Sequence, residues 1–471
     1  MLDRSDLLPY QEHGVAYGKT RPNHAKWVAM GLGKTVMEAT AFADLQRDFE
    51  AKRMLVIAPK RVARRVWSDE VQQWKHLNHL SVSKIVGSAE QCFEAMKTKA
   101  DIHTIGRERV QWLAAQFLEP DNVKKSGRLK YRWPWDHVTV DEAQGFSSQN
   151  GRWKALESLR PYFPRLTELS GTPLPNGYGG LWSQFHLLDG GRRLGATQKD
   201  CRDRWFTPPA GMFAKWNVTA AGQAQMRDAI KDVVLCLREE DYLTLPPVSQ
   251  NFIRVTLSNA AMAIYKRMER EYIAEVAGQR LTAVNAGVLD GKLLQLANGA
   301  CYTGVDREWV EFHSEKTEAL DETLEAMPGK ALIAYGYQHD LARITRVVER
   351  RAKEDGRTYA LLKSDGSFDA WARGEVDWGI LHPASAGHGL NDMYKAGCED
   401  IIHFGLTNNL EWYQQVNARI GGGHRRAGKN IRVHHIVADG TRDSDYIRLL
   451  RAKALDQSSL EASLAVIIQS A

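Results

Sequence analysis

The chain has 471 residues and a net charge of +6, with 43% hydrophobic and 25% charged residues. That length is too great for one ordinary core, so two or more domains are expected, and the composition argues against a disordered or fibrous chain. Five widely separated cysteines (Cys92, Cys201, Cys236, Cys301, Cys398) point to neither a zinc site nor a disulfide framework. No apolar run approaches a membrane span, and an N-terminus carrying Asp3, Arg4 and Asp6 does not read as a signal peptide. A cytoplasmic setting is expected (a host cytoplasm if the chain is phage-encoded). The mild positive charge is compatible with a polyanionic partner.

In chain order, residues 5–19 predict a helix with Ser5 as its cap. Trp27, Val28 and Ala29 then lead into Met30-Gly31-Leu32-Gly33-Lys34-Thr35, and a helix follows to about Phe49. Gly31 and Gly33 allow close approach of the backbone and turn its N–H groups toward phosphates. The helix start adds the positive end of its dipole. Lys34 is placed to reach the β- and γ-phosphates of ATP, and the Thr35 hydroxyl to bind Mg²⁺. The strict loop pattern has glycine at position 28, where this chain has Val28.

Met54–Ala58 predicts a buried strand ended by Pro59, and residues 60–76 a helix. Val82–Val86 and Asp101–Ile105 predict strands, and 107–118 a helix. Residues 120–135 read as a basic loop or hairpin, with Lys124, Lys125, Arg128, Lys130 and Arg132 among Tyr131, Trp133 and Trp135. It is either a DNA grip or an exposed hairpin. His137–Val140 predicts a strand that delivers Asp141 and Glu142 at its C-terminal end, the edge where open α/β sheets bind ligands. A nucleotide hydrolase needs one carboxylate for Mg²⁺ and one to polarise water, and these roles go to Asp141 and Glu142 respectively. A helix near 151–160 and a strand at 166–169 lead into Ser170-Gly171-Thr172-Pro173.

Gly190-Gly191, Pro208-Pro209 and Pro246-Pro247 punctuate the next stretch, which reads as an insertion and a crossing between domains. Residues 259–297 are mostly helical. Strands are then expected at Ala331–Tyr335, Tyr359–Leu362, Gly379–His382, Ile401–Phe404 and Ile431–Val437, alternating with helices. No second phosphate loop appears.

The motifs fall in a familiar order, and the chain resembles a superfamily-two helicase or translocase of the Swi/Snf type, in particular the small phage and prophage versions. Leu8-Pro9-Tyr10-Gln11 resembles the adenine-sensing Q motif, with Gln11 as base reader. Met30–Thr35 matches motif I, and Ala58-Pro59 with Trp67, Glu70 and Trp74 resembles motif Ia. Asp141-Glu142-Ala143-Gln144 matches motif II, and Leu169–Asn176 matches motif III. Leu293–Gly299 resembles a helix that precedes the second lobe. His382–Asn391 is similar to motif V, while Glu411, Tyr413, Gln415 and Arg419 match the start of motif VI. The family's second arginine in motif VI falls on Gly422. The loop Gly421-Gly422-Gly423 is expected to fold back and present Arg425, or else Arg426, to the γ-phosphate beside Arg419; the alternative is that Arg419 works alone.

The resemblance implies an α/β chain of two RecA-like parallel-sheet lobes with a helical insertion between them and ATP·Mg²⁺ in the intervening cleft. Lobe one is expected over 1–190, the insertion and crossing over 191–250, and a helical lead-in over 251–310. Lobe two then covers 311–457, and residues 458–471 read as a small helix or loose tail. Gln144, Ser170, Gly171, Thr172 and Gln415 are expected to couple hydrolysis to movement. Lys60, Arg61, Arg64, Ser385 and the backbone at Gly387 are expected to meet a nucleic-acid backbone. The implied activity is DNA-dependent ATP hydrolysis by a monomer that tracks along DNA, double-stranded in preference. A strand-separating helicase and a non-hydrolysing nucleotide-gated scaffold are the alternatives.

Overall fold

The computed structural model describes residues 1–119, 133–175, 177–208, 216–278, 283–303, 308–386, 392–407, 409–422 and 428–465. The chain forms two units. Unit 1 comprises Met1–Pro208, Trp216–Leu243 and Leu455–Ala471, and unit 2 is centred on Thr244–Ala454.

Unit 1 is built on seven parallel strands. They are β1 (Asn23–Val28), β2 (Met54–Ala58), β3 (Val82–Ile85), β4 (Ile102–Gly106), β5 (His137–Asp141), β6 (Arg165–Ser170) and β7 (Val234–Leu237), in the order β3-β4-β2-β5-β6-β1-β7. The period of two in strand side chains feeds two cores. Leu55 and Ile57 of β2 join Trp27, Val138 and Val140 on one face. Met54, Val56 and Ala58 join Phe42, Trp67 and Ile102 on the other. Both faces are therefore covered, as a parallel sheet requires.

The first helix, α1 (Pro9–Thr20), starts later than expected. Ser5 lies in a separate one-turn element, Arg4–Asp6, capped by Asp3. Pro9, with no N–H to lose, takes the first helical position instead. Helix α2 (Lys34–Arg47) follows β1 directly after the glycine loop. The expected helix after Pro59 begins as a π-helical turn, Val62–Val66, and becomes α-helical over Trp67–Gln73.

A buried charge network lies behind the loop. Lys26 Nζ on β1 stands 2.6 Å from Glu38 Oε2 on α2, and both side chains are wholly buried. The other Glu38 oxygen meets His137 Nε2 at 2.9 Å and accepts from the Thr139 hydroxyl at 3.1 Å. Burial alone would raise the Glu38 carboxyl, but Lys26 and His137 outweigh it and hold the group well below its ordinary range. Burial and Lys26 push His24 down to about 3, so that ring is neutral. Removing Lys26 leaves the buried Glu38 carboxylate with only His137 and Thr139 as partners. Lys26→Met is therefore expected to cost about 3–5 kcal/mol. The double replacement Lys26→Met/Glu38→Gln should recover much of it. Denaturant midpoints check this, and an equal loss in single and double variants would show that the pair is not what stabilises the region.

Unit 2 has six parallel strands, β8 (Ser249–Val255), β9 (Ala331–Ala334), β10 (Tyr359–Leu361), β11 (Trp378–Leu381), β12 (Asp400–His403) and β13 (Arg432–Ala438), ordered β8-β13-β12-β9-β11-β10. Again the faces alternate. Leu332 and Ala334 pack with Trp371 and Val416, while Ala331 and Ile333 pack with Ile344 and Phe404.

Three regions differ from the sequence reading. Residues 191–250 carry sheet strands: β7 pairs with β1 on unit 1, and β8, from 249, pairs with β13 on unit 2. β7 has only four residues, and β8 begins just after Pro246-Pro247 with the polar residues Ser249, Gln250 and Asn251, so neither shows a clear apolar period. Near the C-terminus, a helix runs Arg442–Leu464, and Leu460 and Leu464, four residues apart, join the core of unit 1. That part of the expected tail is structural. Trp133 and Trp135 are buried and pack against Phe117, so they do not grip a ligand. Residues 124–132 lie outside the described residues. Among those described, no helix is long and apolar enough to cross a membrane.

Candidate functional site

Because every strand of the seven-stranded sheet of unit 1 is parallel, three loops emerge at one edge of that sheet. The glycine loop follows β1, Asp141-Glu142 ends β5, and Ser170-Gly171-Thr172 ends β6, which lies between them. The register places Trp27 opposite Ser170 and Asp141 opposite Leu169. Strand pairing thus brings the glycine loop level with two loops more than a hundred residues further along the chain.

Gly31 (φ 91°) and Gly33 (φ 87°) adopt the left-handed backbone that glycine tolerates, and Gly33 caps α2. The first N–H groups of a helix lack intrahelical acceptors and suit an anion. Lys34 and Thr35 are the first two residues of α2 and are partly exposed. Gln11 is buried against this loop. Its Nε2 donates to the Leu32 carbonyl at 3.0 Å, and its Oε1 accepts from the Leu8 amide at 2.9 Å. A Cβ at Gly33 would stand 2.5 Å from Gln11 Nε2, so glycine is needed there for closeness as well as for φ. In this structure the Gln11 amide tethers α1 to the loop.

Asp141 is 6% exposed. Its Oδ2 accepts from the Trp67 indole at 3.1 Å and its Oδ1 from the Glu142 amide at 3.0 Å. Burial, then the neighbouring Glu142, push its carboxyl up to about 6, while Lys34 and the Trp67 hydrogen bond oppose the rise. Glu142 itself has φ 54° and ψ 56°. It is one of two non-glycine residues with positive φ among those described, the other being Phe49. Such strain costs on the order of 1–3 kcal/mol and gathers at functional sites.

A relay of hydrogen bonds joins the second and third loops. Gln144 Nε2 donates to Glu142 Oε2 at 2.6 Å. The Ser170 hydroxyl donates to Gln144 Oε1 at 2.7 Å and accepts from the Thr172 amide at 3.1 Å. Gly171 completes the arrangement: a Cβ there would stand 2.7 Å from Lys34 Nζ and 3.0 Å from Met30 Cγ. A larger residue there would displace the Lys34 ammonium from its present place.

The donor set fits Mg²⁺. One carboxylate and one hydroxyl, both hard oxygens, match an ion that usually takes few protein ligands and completes its shell with water and phosphate. The unfavourable burial of Asp141 beside Glu142 is what a bound cation relieves.

In unit 2, Gln415 and Arg419 lie on the helix Leu410–Gly421. Gln415 is fully buried and donates to Glu411 Oε1 at 3.1 Å, and Arg419 is 8% exposed. Gly421 ends this helix, and Gly422 has φ −91°, so neither uses the positive φ expected of a fold-back loop. A Cβ at Gly422 would stand 2.9 Å from both the Cβ and the carbonyl oxygen of Ala418. Close packing explains why no arginine occupies that position. Arg425 lies outside the described residues, as does Gly387. Ser385 lies in the short helix Pro383–Ala386, and its amide donates to the His382 carbonyl at 2.8 Å.

Lys60 and Arg64 are exposed and Arg61 partly so, at and just before the π-helical turn. The residue that sequence reasoning named without a role is Trp67, whose contact with Asp141 spans 74 positions. Only its place in the motif Ia pattern signalled it.

Comparison with known proteins agrees with this geometry. The SNF2-related domain matches residues 27–298. Protein p41 of Acyrthosiphon pisum secondary endosymbiont phage 1 is 33% identical over 452 residues, covering 93% of this chain and 94% of that protein. Protein CHROMATIN REMODELING 19 of Arabidopsis thaliana is 28% identical over 194 residues, 39% of this chain and 25% of that protein. Among solved structures, the Sulfolobus solfataricus SWI2/SNF2 ATPase core in complex with dsDNA aligns with 97% of this chain and 93% of its own, at 19% identity and a TM-score of 0.42. With the glycine loop, the paired carboxylates and the Ser-Gly-Thr loop gathered on one parallel sheet, and a relative alike over nearly its whole length, the chain belongs to the SNF2-related family.

Proposed function

We propose that this protein is a DNA-dependent ATPase that moves along double-stranded DNA. The observation that carries the reading is the Glu142–Gln144–Ser170–Thr172 relay beside Lys34 at one sheet edge. It links the group that would activate water to a loop that can report the state of the nucleotide. In this reading the amides of the glycine loop and Lys34 hold the phosphates of ATP. Thr35 and Asp141 would hold Mg²⁺, which when bound neutralises charge on the β- and γ-phosphates. Glu142 accepts a proton from the attacking water. Gln11, tethered to the loop, is positioned to sense the base. Arg419 and Arg425 are the candidates for the arginine that assists hydrolysis.

DNA would be held through its phosphates by Lys60, Arg61 and Arg64, with Ser385 and the backbone near Gly387 contributing from unit 2. DNA should therefore stimulate ATP turnover, and affinity should fall steeply with salt. Charge reversal at both Arg61 and Arg64 is expected to lower the salt slope by about two, roughly one per lost phosphate contact. An unchanged slope would place this turn away from DNA. Turnover that ignores DNA altogether would sink the wider reading. Triplex displacement beside strand displacement separates the two modes of movement: activity in the first alone is expected, and robust strand separation would make the protein a helicase in the strict sense.

A further inference from the structure

Trp67 holds Asp141 more directly than any residue outside the loop itself. Its ring is fully buried, in the core that also holds Val62, Ala63, Val66 and Val71, and its N–H is fixed by the carboxylate. Its N–H donates to Asp141 Oδ2, while the Glu142 amide takes Oδ1. Two donors, one on each oxygen, fix the plane of the carboxylate. Each oxygen keeps a further lone pair for another partner.

Trp67 is also the first residue after the π-helical turn Val62–Val66. Single π-turns hold one residue more than an α-turn and recur at functional sites. This one carries Arg64 and Arg65 on its exposed side, with Lys60 just before it. On its buried side, the Ala63 carbonyl accepts from the Thr104 hydroxyl of β4 at 2.6 Å. One short segment thus has a basic outer face, a wide turn anchored from within, and a side chain reaching the carboxylate.

We propose that Trp67 is a positioning residue that orients Asp141 for the nucleotide-bound metal, and that the basic turn before it makes this orientation respond to a bound nucleic-acid phosphate backbone. The proposal rests on the reading of Asp141 as the Mg²⁺ ligand. Pulling on Arg64 or Lys60 would shift the turn, and the indole moves with it because nothing flexible intervenes. The Asp141 carboxylate, held from that side by one hydrogen bond, turns in response.

Two variants test this. Trp67→Phe keeps a large ring and removes the N–H. Replacement of Trp67 by 3-benzothienylalanine keeps the bicyclic shape and removes the same donor, which guards against loss of fold. Affinity for a fluorescent ATP analogue is measured at equilibrium with Mg²⁺ and with chelator. The wild-type ratio of the two affinities should fall about tenfold in both variants, the scale of one hydrogen bond to a charged group, with metal-free affinity unchanged. The Mg²⁺ concentration for half-maximal turnover should rise by a similar factor. At saturating Mg²⁺ the factor by which DNA stimulates turnover should drop. A merely structural Trp67 would lower the melting temperature and leave the affinity ratio and the DNA stimulation alone, and that result overturns the proposal. A wild-type protein whose ATP affinity ignores Mg²⁺ would overturn instead the underlying assignment of Asp141.

Discussion

Lys34→Ala should reduce DNA-stimulated ATP turnover on the order of a thousandfold, the upper range for removing one preorganised charge partner from a transition state. Lys34 opens α2, and its ammonium occupies the space that Gly171 leaves open. The substitution puts the best helix former at a helix start and leaves no group unpaired in a core, so the fold should survive. Circular dichroism and melting check the fold, and a coupled assay checks turnover. ATP affinity should fall as well, because the lysine meets phosphate in the ground state and in the transition state. Full turnover by a folded variant would defeat the phosphate-loop assignment and with it the proposed function.

Glu142→Gln should separate binding from chemistry. The amide keeps the shape of the side chain and can still accept from Gln144, so the relay to Ser170 persists. It cannot accept a proton from water. Loss of a general base commonly costs on the order of a hundredfold or more in rate. ATP affinity should stay near that of the wild type, and a stable ATP-bound form should accumulate. Nucleotide retention on a filter and single-turnover hydrolysis measure the two parts separately. A variant that binds ATP poorly yet hydrolyses what it binds at the normal rate would remove Glu142 from the role of base. The strained backbone at Glu142 adds a reason for care with Glu142→Gly, which would relieve the strain as it deletes the acid.

Much of the chemistry was legible because its residues are neighbours in the chain. Gly31-Leu32-Gly33-Lys34-Thr35 and Asp141-Glu142 each carry their meaning within a few positions, and an apolar strand before each sets its direction. Strands with continuous apolar runs, such as Met54–Ala58, were readable for the same reason. β1 was harder. Its buried positions include His24 and Lys26, which look like surface residues until Glu38 and the strand's burial are seen together. β7 has only four residues and comes just after the helix Ala220–Ile230, so periodicity had little to register.

The amino-acid sequence by itself determined the order of motifs, the parallel α/β class of both units and the residues that meet ATP in the proposed reaction. These rest on local patterns of glycine, charge and apolar spacing, which short-range sterics and hydrogen bonding interpret directly. Tertiary structure alone decided what lies beside what. It set β6 between β5 and β1, so that Ser170 reaches Gln144. It also brought Trp67 to Asp141 and showed that Gly422 is a packing residue with no room for a side chain. The physical reason is that strand order and side-chain contact depend on the closure of long loops and on the burial of whole faces, and no window along the chain contains both partners of such a contact.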